Sequence, residues 1–155
     1  MPFKNKEKFV MNGKFYFLDT NTIIQLLKGN QNLVEILEEA EFIACSVISK
    51  FEYLAFQNIS KNDIELFNVF IEKIEVVGLP SNDNELHQQI LNIRKDKKLK
   101  LPDAIIAGCS VYKNCILITA DKKLLEIDKV PVLSYQIIQS KTREDLTSIN
   151  QINEP

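Results

Sequence analysis

Two aspartates follow apolar runs that have the length and composition of buried strands. Asp19 comes directly after Phe15–Leu18, and Asp121 comes after Cys115–Thr119. The carboxyl ends of parallel strands meet at one edge of an α/β sheet, where ligands bind, so we expect both carboxylates at that edge. Each aspartate also precedes a helical stretch, and an N-cap contribution of about 1 kcal/mol is an alternative explanation for its position.

Two further acids lie on predicted helices. Asp103 falls in the first turn of an apolar helix opened by Pro102, where an acidic side chain also suits the helix dipole. Glu52 shares a helical face with Ile48 and Ala55, at the edge of an apolar stripe. A glutamate in that position must extend its carboxylate to solvent or find a partner.

Carboxylates gathered at one edge of a sheet require a cation. Such groups repel one another and raise each other's pKa unless cations neutralise them. Hard divalent ions bind oxygen ligands, and Mg²⁺ usually keeps several waters beside a few carboxylates. These ions polarise a phosphoryl oxygen, lower the pKa of a bound water and stabilise a leaving oxygen, which suits phosphodiester hydrolysis. The candidate ligands, called the four acids below, are Asp19, Glu52, Asp103 and Asp121.

The other residue types disfavour rival catalytic classes. His87 is the only histidine and lies on a helical stretch that we expect to face solvent. A Ser-His-Asp triad and a histidine-based zinc site are therefore disfavoured. The sequence also lacks a glycine-rich phosphate loop, which argues against a nucleotide-binding kinase or GTPase.

Composition limits the surface and the compartment. The formal net charge of −2 argues against a general nucleic-acid-binding surface, so such a partner would need a local basic patch. Cys45, Cys109 and Cys115 are odd in number and lie in apolar segments, which is typical of reduced, buried thiols in a cytoplasmic protein. No apolar run reaches the length of a membrane span.

Strand-like and helix-like segments alternate along the chain, which predicts parallel pairing with right-handed crossovers. The expected strands are Phe15–Leu18, Phe42–Cys45, Ile74–Leu79, Cys115–Thr119 and Val130–Leu133. We therefore predict an α/β fold, a three-layer α/β/α sandwich around a central, mainly parallel five-stranded sheet. The domain should span 14–138, after a polar, flexible lead at 1–13 and before a polar tail at 139–155.

Four motifs together resemble the PIN-domain ribonucleases, especially the VapC-type toxins of toxin–antitoxin pairs, over Phe15–Leu133. The motifs occur in family order and with family spacing: L-D-T-N at Leu18–Asn21, a serine and a glutamate at Ser46 and Glu52, P-D-A-I-I-A at Pro102–Ala107, and I-T-A-D at Ile118–Asp121. Each motif alone is weak, whereas the set is specific.

The resemblance implies a site and a partner. It implies that the four acids surround Mg²⁺ or Mn²⁺, that metal-activated water cuts RNA, and that Asn21 and Thr119 orient the acids or the bound water. It also implies a homodimer that a cognate antitoxin silences by occupying the site. The aromatic residue that often follows the last acid is Leu124 here, and the fifth acid of some members is not evident, which leaves a second metal open.

A long amphipathic helix is predicted at 82–98, and it ends in a basic run. Its expected inward residues are Leu86, Ile90, Leu91 and Ile93. The basic run consists of Arg94, Lys95, Lys97, Lys98 and Lys100. Because the run comes just before Asp103, we expect Lys95, Lys97, Lys98 and Lys100 to bind RNA phosphates at the rim of the same site. A solvated helix end is the alternative.

Two other functional hypotheses remain open. A Mg²⁺-dependent phosphatase or phosphoacceptor domain also places acids at strand ends, but neither strand-end acid lies in a D-x-D-x-T context. A PIN-like binding module without catalysis is the second hypothesis, and the presence of all four acids argues against it.

Overall fold

Five parallel strands form the central sheet of the computed structural model, which describes residues 14–97 and 99–137. In chain order the strands are β1 (Phe15–Leu18), β2 (Phe42–Ser46), β3 (Glu75–Val77), β4 (Ile116–Ile118) and β5 (Val132–Leu133). The helices are α1 (Thr20–Leu27), α2 (Gln31–Glu38), α3 (Val47–Leu54), α4 (Lys61–Ile71), α5 (Asn84–Lys97), α6 (Leu101–Tyr112) and α7 (Lys122–Leu125). The spatial order is β3-β2-β1-β4-β5, and every neighbouring pair is parallel. The predicted α/β class and five-stranded parallel sheet are confirmed.

Helices cover both faces of the sheet, because alternate strand residues point to opposite sides. On one face, Phe17 of β1 belongs to a buried cluster that includes Ile90 of α5. On the other face, Leu18 belongs to a second cluster with Ile23 of α1 and Phe67 of α4. This arrangement is the predicted three-layer α/β/α sandwich.

Local signals in the sequence set the helix ends near the sheet. Gly29 has φ of 87° and ends α1 in the left-handed conformation that glycine tolerates. Asn30 then caps α2, accepting the backbone N–H of Leu33 at 3.2 Å. Ser46 caps α3 by accepting the backbone N–H of Ile48 at 3.1 Å. Since Ser46 is also the last residue of β2, α3 begins at the carboxyl edge of the sheet.

The middle of α6 packs closely against α5 at Gly108. A Cβ on Gly108 would lie 2.9 Å from Cα of Ile90, so an alanine there would require the two helices to move apart. The interior of α6 is buried as predicted, at Ala104, Ile106, Ala107, Gly108, Cys109 and Ser110. Pro102 occupies the first turn, where its missing N–H costs nothing. The helix therefore holds Asp103 in a defined place.

Leu91 was predicted to face inward, and that prediction was wrong. It is 48% exposed, whereas Leu86, Ile90 and Ile93 are buried. Successive helical residues are rotated by about 100°, so Leu91 points away from the face shared by the other three.

The outer strands are shorter than predicted. β3 covers Glu75–Val77, within the predicted Ile74–Leu79, and β5 covers only Val132–Leu133. Pro131 stands directly before β5 and has no N–H to donate, although its carbonyl accepts the backbone N–H of Leu117 at 2.9 Å. β4 is also one residue shorter at each end.

Several predictions lie outside the described residues: the lead at 1–13, the tail at 139–155 and the position of Lys98. Of the helices in the described ranges, none has the length and apolar character needed to cross a membrane.

Candidate active site

The carboxyl ends of β1 and β4 lie side by side. Leu18 pairs in register with Ile118, and the backbone N–H of Asp19 donates to the Ile118 carbonyl at 3.5 Å. In the sheet, β2 lies on one side of β1 and β4 lies on the other. The direction in which strands are added therefore reverses between β1 and β4. In open α/β sheets such a switch point forms the crevice that binds ligands. Asp19 follows β1 and Asp121 follows β4, so both acids lie at this edge of the sheet.

Asp19 is only 5% exposed, and both of its carboxylate oxygens accept hydrogen bonds. Oδ1 accepts the backbone N–H of Thr22 at 2.8 Å, which makes Asp19 the N-cap of α1. Oδ2 accepts the hydroxyl of Thr119, which is itself fully buried. The same Thr119 oxygen accepts the backbone N–H of Asp121 at 3.1 Å. One threonine hydroxyl therefore links the two strand-end acids.

The capping role and the site role are compatible. Asp121 caps α7 through Oδ1, which accepts the backbone N–H of Lys123 at 2.8 Å. An ionised carboxylate offers about four lone-pair positions, so one or two capping bonds leave acceptor capacity for a ligand. Asp19 and Asp121 therefore do cap helices, and this role leaves them able to bind a cation as well.

Helices α3 and α6 bring the two helical acids to the same place. Glu52 is exposed on α3, and its Oε1 accepts the Thr20 hydroxyl at 2.7 Å, so it has found a partner. Asp103 is half-buried in the first turn of α6. All four acids line one open pocket of about 230 Å³, the acidic pocket. Its walls consist of Asp19, Thr20, Asn21, Ile24, Glu52, Phe56, Asp103, Ile106 and Asp121.

The carboxylates interact electrostatically. Burial raises the pKa of Asp19, and the charge of Asp121 raises it further, against the lowering effect of the two hydrogen bonds described above. Burial also raises the pKa of Asp103. The charges of the other three acids add to that rise, and the positive charge of Lys100 opposes it. The pocket thus concentrates negative charge that a cation would relieve.

The donor set fits a hard divalent cation. The candidate ligands are carboxylate oxygens, which Mg²⁺ and Mn²⁺ both accept. Within the described part of the chain, however, no three His, Cys, Asp or Glu side chains are arranged to hold one ion together. An ion bound to this arrangement would take one or two carboxylates directly and complete its shell with water, which is the usual behaviour of Mg²⁺.

The other predicted residues lie at or beyond the rim. Asn21 lines the acidic pocket from the first turn of α1. Lys100 directly precedes α6, and its charge reaches Asp103. Lys95 is exposed on α5 and does not line the pocket. Lys98 and the side chain of Lys97 lie outside the described part of the protein.

His87 does not line the acidic pocket. Its ring is half-buried, and Nε2 lies 2.8 Å from the carbonyl oxygen of Pro80. His87 therefore keeps partial contact with solvent and lies away from the four acids, in agreement with the expectation that it is not a catalyst.

Residues 16–130 match the family model of the PIN domain. The chain belongs to the PIN-domain family. The matched segment begins in β1 and ends before β5, so it includes all four acids. PIN domains are nucleases, and membership places this chain among proteins that act on nucleic acids.

Solved structures with the same fold include toxin–antitoxin complexes. VapBC2 from Rickettsia felis, bound to a promoter DNA fragment, is 17% identical with a TM-score of 0.66, over 79% of this chain and 99% of that one. A toxin–antitoxin complex from Klebsiella pneumoniae is 24% identical with a TM-score of 0.65, over the same shares. VapBC-1 from nontypeable Haemophilus influenzae is 22% identical with a TM-score of 0.64, over 77% and 97%. At these identities the likeness establishes the PIN fold. A comparison with curated proteins found no match.

Sequence reasoning missed Thr20, which lies between the acids. It directly follows Asp19, yet its hydroxyl contacts Glu52 and also Ser49, whose oxygen lies 3.0 Å away. The partners are 29 and 32 residues away along the chain, so no short spacing pattern signals the contact. The one available signal was a hydroxyl residue beside a strand-end acid.

Proposed function

We propose that this protein is a metal-dependent endoribonuclease and the toxin of a toxin–antitoxin pair. The observation that carries the proposal is electrostatic: Asp103 experiences the charges of the other three acids across one open pocket. Membership of a nuclease family and a fold shared with solved toxin–antitoxin complexes support it. We assign the activity to a domain spanning 14–138. The three free, buried cysteines agree with a cytoplasmic protein.

In this proposal the four acids bind Mg²⁺ or Mn²⁺, one or two of them directly and the others through its bound water. When bound, the cation supplies charge that polarises a phosphoryl oxygen and activates a water molecule. Asp19 is the most rigidly held ligand, because it is buried and both oxygens are fixed by hydrogen bonds. Thr119 fixes the position of Asp19 relative to Asp121, because its hydroxyl bonds the Asp19 carboxylate and the Asp121 backbone N–H. Asn21, on the pocket wall, orients water or the scissile phosphate.

The direct test uses purified protein freed of metal with EDTA and incubated with total cellular RNA. We expect no cleavage until Mg²⁺ or Mn²⁺ is added, and sequencing of the new RNA ends should show internal cuts. Cleavage that persists in EDTA would contradict the metal-dependent mechanism. Hydrolysis of p-nitrophenyl phosphate without RNA cleavage would favour the phosphatase hypothesis, and neither activity would favour a binding module.

The surface beside the acidic pocket supports a protein partner. A second pocket, of about 160 Å³, shares the side chains of Ile24 and Phe56 with the acidic pocket. Its lining is mostly apolar and comprises Ile24, Leu27, Lys28, Tyr53, Phe56, Asn58, Ile59 and Asp63. Phe56 is 63% exposed, which is unusual for a side chain of its size. An apolar antitoxin segment seated there could extend a basic side chain to the acids. The expected homodimer remains part of the proposal.

Lys100 is proposed to bind an RNA phosphate next to the acids. Replacing it by alanine removes one phosphate contact, so log Kd for single-stranded RNA should depend less steeply on log salt, by about 0.7. Binding should weaken equally for all sequences, because a phosphate contact carries no base information. The measurement is fluorescence anisotropy in an Asp19→Asn background, which keeps the RNA intact.

The matched control for Lys100 is Lys73→Ala. Lys73 is also exposed, but it lies between α4 and β3, at the amino edge of the sheet. Its replacement should leave the salt slope unchanged. If both variants behave like the parent, Lys100 is a solvated cation and the RNA is held elsewhere.

A further inference from the structure

Two hydroxyl groups connect Glu52 to the interior of the protein. The Thr20 oxygen lies 2.7 Å from Oε1 of Glu52 and 3.0 Å from the hydroxyl oxygen of Ser49. Ser49 is fully buried, Thr20 is half-buried, and Glu52 is exposed. The contacts therefore run from the core through the pocket wall to the carboxylate, and they join α1 to α3.

The chemistry of the three groups fixes the direction of these bonds. An ionised glutamate carries no proton, so Thr20 donates to Oε1 of Glu52. Thr20 has one hydroxyl proton, and the contact with Ser49 therefore requires Ser49 to donate to Thr20. The order is Ser49 to Thr20 to Glu52, and each bond in such a chain polarises the next one.

Glu52 needs this support more than the other acids do. Asp19 and Asp121 are short side chains that are already fixed by backbone N–H groups. Asp103 is a short side chain on the closely packed helix α6. Glu52 has a longer side chain in contact with solvent, and it would lose more rotamer freedom on binding a ligand.

We propose that Thr20 is a positioning residue for the PIN-domain site, and that Ser49 supports it. By bonding Oε1, Thr20 holds the Glu52 carboxylate at the acidic pocket and leaves Oε2 for a cation or its water shell. The role of the cation rests on the proposed function, whereas the Thr20–Glu52 bond does not. Partners that orient a metal ligand typically contribute about 10- to 100-fold in metal affinity.

The test compares Thr20→Val, which keeps the shape and removes the hydroxyl, with Thr20→Ser, which keeps the hydroxyl. Mn²⁺ binding is measured by isothermal titration calorimetry. We expect the valine variant to bind about 10- to 100-fold more weakly and the serine variant to bind like the wild type. In a Glu52→Gln background, Thr20→Val should cause no further loss. Ser49→Ala should weaken binding less than Thr20→Val does.

Any of three results would overturn the proposal. They are wild-type Mn²⁺ affinity in Thr20→Val, an equal loss of affinity in Thr20→Ser, and an equal loss when Thr20→Val is added to Glu52→Gln. A metal-free measurement separates this inference from the proposed function. The carbon-13 resonance of the Glu52 carboxyl group should move in Thr20→Val and stay in place in Thr20→Ser, even if the wild type neither binds Mn²⁺ nor cuts RNA. An unmoved resonance in the valine variant counts against the bond itself.

Discussion

Replacing Asp19 by asparagine is expected to reduce RNA cleavage by about a thousandfold or more, while the protein stays folded. Asp19 is the buried carboxylate at the switch point of the sheet, held by bonds to both oxygens. Asparagine keeps the shape and an acceptor for the Thr22 N–H, but it removes the charge that attracts the cation. Metal ions supply several kcal/mol of charge stabilisation, and each 1.36 kcal/mol is a factor of ten in rate. The measurement is single-turnover cleavage of a defined RNA at saturating Mg²⁺.

Although Asp19→Asn should reduce cleavage, it should not destabilise the metal-free protein at neutral pH. The pKa of Asp19 is raised in the folded state, so the folded chain holds this proton to a higher pH than the unfolded chain does. The stability that protonated Asp19 contributes is therefore present below the unfolded pKa and is lost as the pH rises through the folded one. At pH 7 Asp19→Asn should melt at the same temperature as the wild type or slightly higher. The advantage should disappear as the pH falls below the ordinary aspartate pKa of 3.8.

Asp83 provides a matched control, because its contacts have the same form. Its Oδ1 accepts the backbone N–H of Leu86 at 3.1 Å, and its Oδ2 accepts the hydroxyl of Tyr112 at 2.7 Å. These two bonds, the Tyr112 bond first, lower the pKa of Asp83, which does not line the acidic pocket. Asp83→Asn should therefore leave cleavage unchanged and lower the melting temperature at neutral pH, with the difference fading as the pH falls through the lowered pKa. A large loss of cleavage in Asp83→Asn, or a clearly lower melting temperature in metal-free Asp19→Asn, would contradict this account.

Sequence patterns predicted the parallel sheet and the meeting of Asp19 with Asp121 because both depend on simple rules. An apolar run of strand length followed by an acid specifies the sheet edge, and right-handed crossovers place successive strand ends at that edge. The start of α6 was also predictable, since Pro102 and an all-apolar helix leave few alternatives.

Other features required the tertiary structure. The strand order decides that β4 lies beside β1, and no local pattern encodes this neighbour relation. The contact of Thr20 with Glu52 depends on how α1 and α3 pack, so the sequence showed an exposed glutamate without its partner. Leu91 was assigned to the inward face of α5 because it is apolar and follows the buried Ile90. Apolar identity alone does not settle burial.

The structure also bears on how a partner would silence the proposed nuclease. The acidic pocket and the apolar pocket meet at Ile24 and Phe56, so one continuous segment can occupy both. An arginine on that segment would form charge-assisted, bidentate bonds with the carboxylates and would compete with the cation for the same oxygens. Inhibition by this route depends on the negative charge of the pocket.

Neutralising Asp19 and Asp121 together should therefore weaken binding of the cognate antitoxin by at least about 30-fold, because breaking a buried charge pair costs 2–5 kcal/mol or more. The two acids share the Thr119 hydroxyl, so the double variant Asp19→Asn/Asp121→Asn removes charge from one connected site. Binding is measured by calorimetry in EDTA with the antitoxin expected from the neighbouring reading frame, and Asp83→Asn, which removes one carboxylate charge outside the acidic pocket, serves as a control. Phe56→Ala should also weaken the complex while sparing the metal site, since Phe56 contributes apolar surface to both pockets. Wild-type antitoxin affinity in the double variant would place the inhibitory contact away from the acids. Weaker binding in the double variant, with unchanged affinity in Asp83→Asn, would identify the acidic pocket as the site that the partner's cationic side chain enters.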